Sequence, residues 1–283
     1  MGGGRRVDQL RIVVGFKVTP DYEALRAPDW ERAAAEGGRP EIRYVRRVLN
    51  VFDEAALELA LRLRDARAER GLETSLAAFT VAGREADPFL RTLQALGFAR
   101  AARVDPGADL DFAPSATAAL IAACAERLGG DALLLGSSSG PGDSGVVPFL
   151  VAEALGRPCL MQVTELQPTD DDRLRVTFAA DAGPVRATLA PPCVLAVGNA
   201  LVSMLRVPTL RERLAVKDEL IAELSCAELG VDLAGVLAGE PAALMGLETI
   251  DRSRAGAVVT GATPADKARA LYETHLRARL ESL

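Results

Sequence analysis

An α/β fold on a mostly parallel sheet, with helices on both faces, is what this chain's sequence predicts. Two observations carry it. Short apolar runs alternate with amphipathic helical segments from Ile12 to about residue 160, which is the β-α-β-α order of a parallel sheet. The strand-like runs are apolar at nearly every position, as expected of strands covered on both sides. A third observation extends the picture. Two alternating runs around Asp181-Ala-Gly183 read as a β-hairpin, and beyond Leu201 the periodicity loosens into a long C-terminal arm. The division is therefore an α/β domain over 1–200 and an arm over 201–283.

The elements follow in order. Residues 12–16 form the first strand. Residues 27–40 are charged and end Gly-rich, an exposed insertion, and 42–49 form a short extended segment. Residues 52–69 form the strongest helix. Asp53 is placed to cap it, Glu54 suits the positive end of its dipole, and Ala56, Leu57, Ala60, Leu61 and Leu63 form its buried face. A second strand spans 74–81. A helix over 88–96 stops at Gly97, and a strand follows at 101–104. An Ala-rich helix over 115–128 stops at Gly129 and Gly130. The buried strand 132–135 leads through a loop to a helix over 146–155, ended by Gly156 and Pro158. The hairpin strands are 174–179 and 185–189, and 194–197 is one more buried strand. Residues 207–217 are amphipathic and basic, 228–232 form a loop, and 264–283 form a helix of mixed charge.

Composition bounds the function. The chain has 283 residues, 49% hydrophobic and 25% charged, an ordinary globular balance with enough length for a sizeable core. Net charge is −6, Arg residues are scattered, and aromatics are 4%, so nucleic acid is not an expected partner. Cys124, Cys159, Cys193 and Cys226 form no C-x-x-C pair, and His275 is the one histidine. That excludes a clustered zinc site and favours four buried, reduced thiols. No secretory signal pattern and no run near the roughly 20 apolar residues of a membrane span is visible, so a cytoplasmic protein without membrane insertion is expected.

The segment with chemistry in it is Leu133-Leu-Leu-Gly136-Ser-Ser-Ser-Gly-Pro-Gly-Asp143-Ser-Gly-Val-Val-Pro148. A buried strand enters a loop of small residues and then a helix. Backbone N–H groups, Ser hydroxyls and a helix N-terminus make a phosphate cradle at the carboxyl end of a parallel strand. A surface turn fits the segment about equally well. It is neither a Walker A loop nor G-x-G-x-x-G.

Several motifs together resemble the electron-transfer flavoprotein beta subunit family, over about residues 10–260. They are the strand ending at Lys17, the Asp21-Tyr22 pair, and Asn50-Val-Phe-Asp-Glu54, where Val51 replaces the family's Pro. Further along come the Gly136 to Asp143 loop, Leu189-Ala-Pro-Pro-Cys-Val194, Arg206-Val-Pro-Thr-Leu210 and Leu229-Gly-Val-Asp232. The resemblance implies a Rossmann-like, adenine-nucleotide-binding sheet. Its nucleotide pocket would be walled by Phe16, Lys17, Asn50, Thr80, Val81, Gly136, Asp143, Ser144, Gly145, Val146 and Val147. Gly145 and Val146 stand where the family has Asn and Gln, which weakens side-chain recognition and leaves the backbone cradle. Tyr22 and Phe52, core packing on sequence alone, would lie near the flavin. Arg206, Thr209 and Leu210 would form a recognition loop, with Leu210 the apolar tip that docks on a dehydrogenase; the alternative is an amphipathic helix with Leu210 and Leu214 turned to the core.

The function so implied is that of a carrier rather than an enzyme, with no acid, base or nucleophile of its own. The chain would pair with an alpha subunit that holds most of the FAD site, bind AMP, and shuttle electrons from a flavin dehydrogenase, such as an acyl-CoA dehydrogenase, toward a quinone reductase. Two other readings stay open. One is a bifurcating subunit with a second FAD in the AMP pocket. The other is a non-redox adenine-nucleotide-binding protein of the universal-stress type.

Overall fold

β1 (Gln9–Gly15) is the apolar run around which the sheet is laid, and its parallel neighbours lie on opposite sides. The structure is a computed structural model that describes residues 9–140, 144–169, 173–240, 242, 244–248, 250, 253 and 256–281. On one side of β1 lie β4 (Glu73–Val81), β5 (Arg100–Val104) and the edge strand β11 (Ala222–Leu224), all parallel. On the other side lie β6 (Ala132–Gly136), β10 (Cys193–Val197) and β7 (Cys159–Pro168), also parallel. The antiparallel strands β8 (Leu174–Ala180) and β9 (Gly183–Leu189) complete a nine-stranded sheet. Its order is β11-β5-β4-β1-β6-β10-β7-β8-β9. Two short strands, β2 (Val18–Pro20) and β3 (Arg47–Leu49), pair antiparallel beside it.

Two helical layers bury the two faces of this sheet. α2 (Val51–Ala68) and α3 (Asp87–Ala95) cover one face, packing Leu57, Leu61, Leu90 and Leu93 against Ile12, Val14 and Leu134. α4 (Pro114–Leu128) and α5 (Val147–Leu155) cover the other, packing Leu120 and Val151 against Val13, Leu133 and Val194. Consecutive strand residues thus feed opposite cores, which is why the runs are apolar throughout. The predicted stops at Gly129 and Gly156 hold φ of 71° and 59°, left-handed values that favour glycine. The remaining helices are α1 (Ala27–Ala35), α6 (Leu210–Ala215), α7 (Leu233–Ala238), α8 (Pro264–Leu271) and α9 (Arg277–Leu280), the last reached through a π turn at Tyr272–Leu276.

The structure departs from the sequence reading in a few elements. Residues 27–35 are helical, with Asp29 accepting the Arg26 N–H at 2.9 Å; among them only Ala33 is buried. Within 42–49 only β3 is extended. β7 and β11 were not expected. β7 alternates buried and half-exposed positions and lacks the continuous apolar run, and β11 is three residues long. The N-cap of α2 is Asn50, so Asp53 sits inside the first turn, free for another use.

Candidate functional site

The chain leaves β1 toward β4 on one side and later returns to β6 on the other. The carboxyl ends of these strands therefore part, and open α/β sheets bind ligands at such a point. Here the parting is a cavity of about 380 Å³ bounded by the ends of β1, β4, β5 and β6 and the loops that follow them. Its floor is bare backbone. A Cβ on Gly15 would lie 2.7 Å from Leu135 Cδ2 and 3.0 Å from Phe79 Cζ, so only glycine leaves this space open. A Cβ on Gly136 would strike Asp53 Oδ1 and come within 3.0 Å of Asn50 Nδ2.

Asp53 ties the floor together. Its Oδ2 accepts the Lys17 N–H at 2.9 Å and the Asn50 amide at 3.1 Å, and its Oδ1 accepts the Gly136 N–H at 2.7 Å. The ends of β1 and β6 are thus fastened to the first turn of α2 by one carboxyl. Burial pushes its pKa up to about 6, against the pull of these donors and of Lys17. Asn50 also donates to the Ser138 carbonyl at 2.8 Å, which fixes the start of the small-residue loop.

That loop presents donors to the cavity. The Ser137 N–H is taken by Val197 O at 2.8 Å, but its Oγ is buried and has no partner among the described residues, in a residue that lines the cavity. Gly145, at φ 63°, turns the chain into α5, whose first-turn residues Val147 and Pro148 face the cavity. The wall opposite is the Asp/Pro/Gly-rich segment after β5. It brings in Asp105, Asp109, Leu110, Asp111 and Phe112. Lys17 Nζ lies 3.8 Å from Asp111 Oδ1.

Of the residues expected here, Phe16, Lys17, Val81, Gly136, Ser144, Gly145 and Val147 line the cavity, and Asn50 stands directly behind it. Val146 is the N-cap of α5 and is exposed. Thr80 is buried between two cavity-lining neighbours, Phe79 and Val81, and alternation turns it to the other sheet face, where its hydroxyl has no partner among the described residues. Tyr22 packs near Trp30 with ring centroids 6.1 Å apart and is not part of the cavity lining; burial, and the charge of the lining residue Asp111, raise its pKa. Phe52 is half-buried and also outside the lining. Asp143 lies outside the described residues. Sequence reasoning missed Gly15, Glu85, the 105–114 wall and Asp53 as a fastener. The signal for the wall was its position, directly after a parallel strand's carboxyl end.

The expected recognition segment has its own construction. Arg206 Nη2 donates to Glu58 Oε1 at 2.9 Å and Nη1 to Asp65 Oδ2 at 2.6 Å, while the Arg206 and Leu205 N–H groups donate to Glu58 and Glu54. Thr209 caps α6, accepting the Glu212 N–H at 3.3 Å as Glu212 accepts the Thr209 N–H. Leu210, in the first turn, is 72% exposed and Leu214 58% exposed, so neither faces the core.

Cys124 and Cys193 are buried as expected, whereas Cys159 and Cys226 are half-buried, near the sheet edge and the arm rather than in the core. Burial raises Cys124 and Cys193 to about 12 and Cys159 to about 11, so they are protonated at neutral pH. Among the described residues there is no cluster of three metal-ligating side chains and no helix long and apolar enough to cross a membrane.

Residues 42–228 match the family described as the electron transfer flavoprotein domain. An Escherichia coli (strain K12) protein, YgcR, provisionally named an electron transfer flavoprotein subunit, is 32% identical over 276 residues, covering 96% of this chain and 100% of that one. The electron transfer flavoprotein subunit beta of Bacillus subtilis (strain 168) is 27% identical over 93% of this chain and 96% of its own. That of Bradyrhizobium diazoefficiens is 26% identical over 79% and 85%. With the parallel sheet, the hairpin and the switch-point cleft in place, the chain belongs to the electron transfer flavoprotein beta subunit family.

Proposed function

We propose that this chain is the beta half of a two-subunit electron carrier. It would hold AMP in the switch-point cleft and pair with an alpha subunit that supplies most of the FAD site. The cleft carries the reading. It has a glycine floor, a loop of small residues with a buried Ser137 hydroxyl that has no partner among the described residues, and the amino end of α5 behind it. These features suit a phosphate and leave room for a nucleoside, and 380 Å³ falls in the roughly 300–1,000 Å³ range of small-molecule sites. Lys17 is the one cation among the described lining residues and would be the phosphate's charged partner.

The flavin supplies the redox chemistry when bound. The residues of this chain bind and position. Asp53 engages three donors to hold the floor and is not free to act as a base, which supports a carrier rather than an enzyme. Leu210, exposed at the start of a capped helix whose approach is clamped by Arg206, is fitted to seat in a dehydrogenase pocket. An acyl-CoA dehydrogenase is one donor of this class, and a quinone reductase would be the acceptor.

The test is to purify the chain together with its alpha subunit and count cofactors. One FAD and one AMP per heterodimer are expected, with the flavin absorbance bleached by a reduced flavin dehydrogenase. Two FAD per heterodimer would replace this reading with the bifurcating one. Nucleotide without any flavin would replace it with a non-redox sensor.

A further inference from the structure

Phe112 is strained, and neither core of the protein gains from it. Its φ of 63° lies in the left-handed region, where the Cβ of a phenylalanine crowds the following carbonyl oxygen. It stands third in a turn closed by the Ala113 N–H on Leu110 O at 3.0 Å, a place where positive φ calls for glycine or asparagine. Among the described residues, Gln162 is the only other non-glycine residue at positive φ. It lies where the register of β7 on β10 shifts, so a bulge accounts for it. Phe112 lies outside any strand, and that account is not open to it. Its ring is half-buried, belongs to neither hydrophobic core among the described residues, and lines the cavity. Backbone strain persists where the surroundings over-determine it, and it gathers at ligand clamps.

Arg39, from the loop after α1, does the over-determining. Its Nη1 pairs with Asp109 and donates to Asp111 Oδ2 at 3.0 Å, and its Cζ lies 6.0 Å from the Phe112 ring centroid. Lys17 Nζ, 3.8 Å from Asp111 Oδ1, holds the same turn from the end of β1. Residues 109–112 are thus fixed from two sides with the ring in the cavity wall. Pro106, Leu110 and Pro114 line that wall beside it, opposite the polar serine loop. An aromatic face in an apolar stretch, across the cleft from the polar donors, suits a flat ring system. We propose that Phe112 is the face on which the ring of the cleft's ligand lies, and that Arg39 is the positioning residue that holds it there. The inference rests on the nucleotide reading above and assigns a residue to the base, which the features of the phosphate side do not.

The experiment is equilibrium dialysis of the purified heterodimer, freed of bound nucleotide, against labelled AMP, with ribose 5-phosphate as competitor. The two probes share the phosphate and the ribose, so the ratio of their affinities reads the ring alone. Phe112→Gly should weaken AMP about tenfold or more, the scale of a lost base–aromatic contact, and leave ribose 5-phosphate unchanged. Without nucleotide it should melt within a few degrees of the parent, because glycine takes a φ of 63° without strain and no core contact is lost. Phe112→Tyr keeps the aromatic face and should bind AMP as the parent does. Arg39→Ala should lower the same ratio severalfold, whatever the uncovered Asp109 and Asp111 do to the phosphate that both probes carry. An unchanged ratio in Phe112→Gly or in Arg39→Ala, or an AMP loss matched by ribose 5-phosphate, would overturn the proposal. So would a Phe112→Gly heterodimer that melts far below the parent, since the ring would then be a packing residue. A parent heterodimer that binds no AMP would remove the nucleotide reading itself.

Discussion

Asp53 is held by two opposing effects. Three N–H donors favour its carboxylate, and full burial disfavours it; burial wins, leaving the pKa at about 6 against an ordinary 3.8. Between those values the folded protein keeps a proton that the unfolded chain has released. The stabilising contribution of this group is therefore complete below the ordinary value and is lost as pH rises through about 6. Asp53→Asn should flatten the dependence of unfolding free energy on pH across that window, measured by urea titration at several pH values. It should also cost about 1–3 kcal/mol, because the amide turns one NH₂ toward backbone donors and leaves one of them unsatisfied. Parallel pH profiles for parent and variant would show that Asp53 is not the group responsible. The sequence pointed to Asp53 for a local reason, an acid at a helix start. Its partners Lys17 and Gly136 lie 36 and 83 residues away, and no local pattern encodes such a bond.

Whether an element was legible in the sequence depended on how fully it was buried. β1, β4, β6 and β10 were readable because both of their faces are covered. β7 was not, because beside the hairpin one of its faces is half-exposed and its apolar run is broken by Gln162 and Glu165. The link between α2 and the segment leading to α6 was equally hidden. Glu58 is only 4% exposed, on a helix face shared with Glu54, Arg62 and Asp65, and its charge is met by Arg206 and, at 3.1 Å, by Arg62. Burial pushes Glu58 up, but the Arg206 and Arg62 hydrogen bonds outweigh it and hold the carboxyl below its ordinary value of 4.5. The clamp thus contributes above that value and weakens as pH falls below it. Arg206→Ala leaves Glu58 with Arg62 and the backbone N–H of residue 206, so a loss of roughly 2–3 kcal/mol is expected, the scale of lost hydrogen bonds to a charged group. Protease cleavage within 201–209 should accelerate at the same time. Unchanged stability and cleavage would mean that the segment is held by its other contacts.

Across the whole molecule, packing on the sheet continues through Glu240, and no described residue beyond it is fully buried. β11 extends the sheet edge, Leu224, Leu229 and Leu233 pack on the α4 side of the core, and Glu240 accepts the Ala116 N–H at 2.7 Å, capping α4 from a distance. Beyond it Met245 is 94% exposed, Ile250 71% and Val258 84%, and Tyr272, Leu276 and Leu280 recur every four residues along the last helical turns, all exposed. A single exposed leucine needs no explanation, but a sustained apolar series held off its own core is the mark of a surface covered by something else. On the function proposed above, that cover would be the alpha subunit. Ending the chain at Glu240 should therefore leave the α/β body melting within a few degrees of the full chain, since none of the described residues it removes is fully buried. The heterodimer should weaken about a hundredfold or more, the scale of a few lost apolar anchors. Because the lost contacts are apolar, the weakening should persist at high salt, where surface charge pairs are screened. A truncated chain that keeps its affinity for the alpha subunit would assign these residues to another partner. One that melts early would make the arm part of the body's own core, against the exposure of every apolar side chain just named.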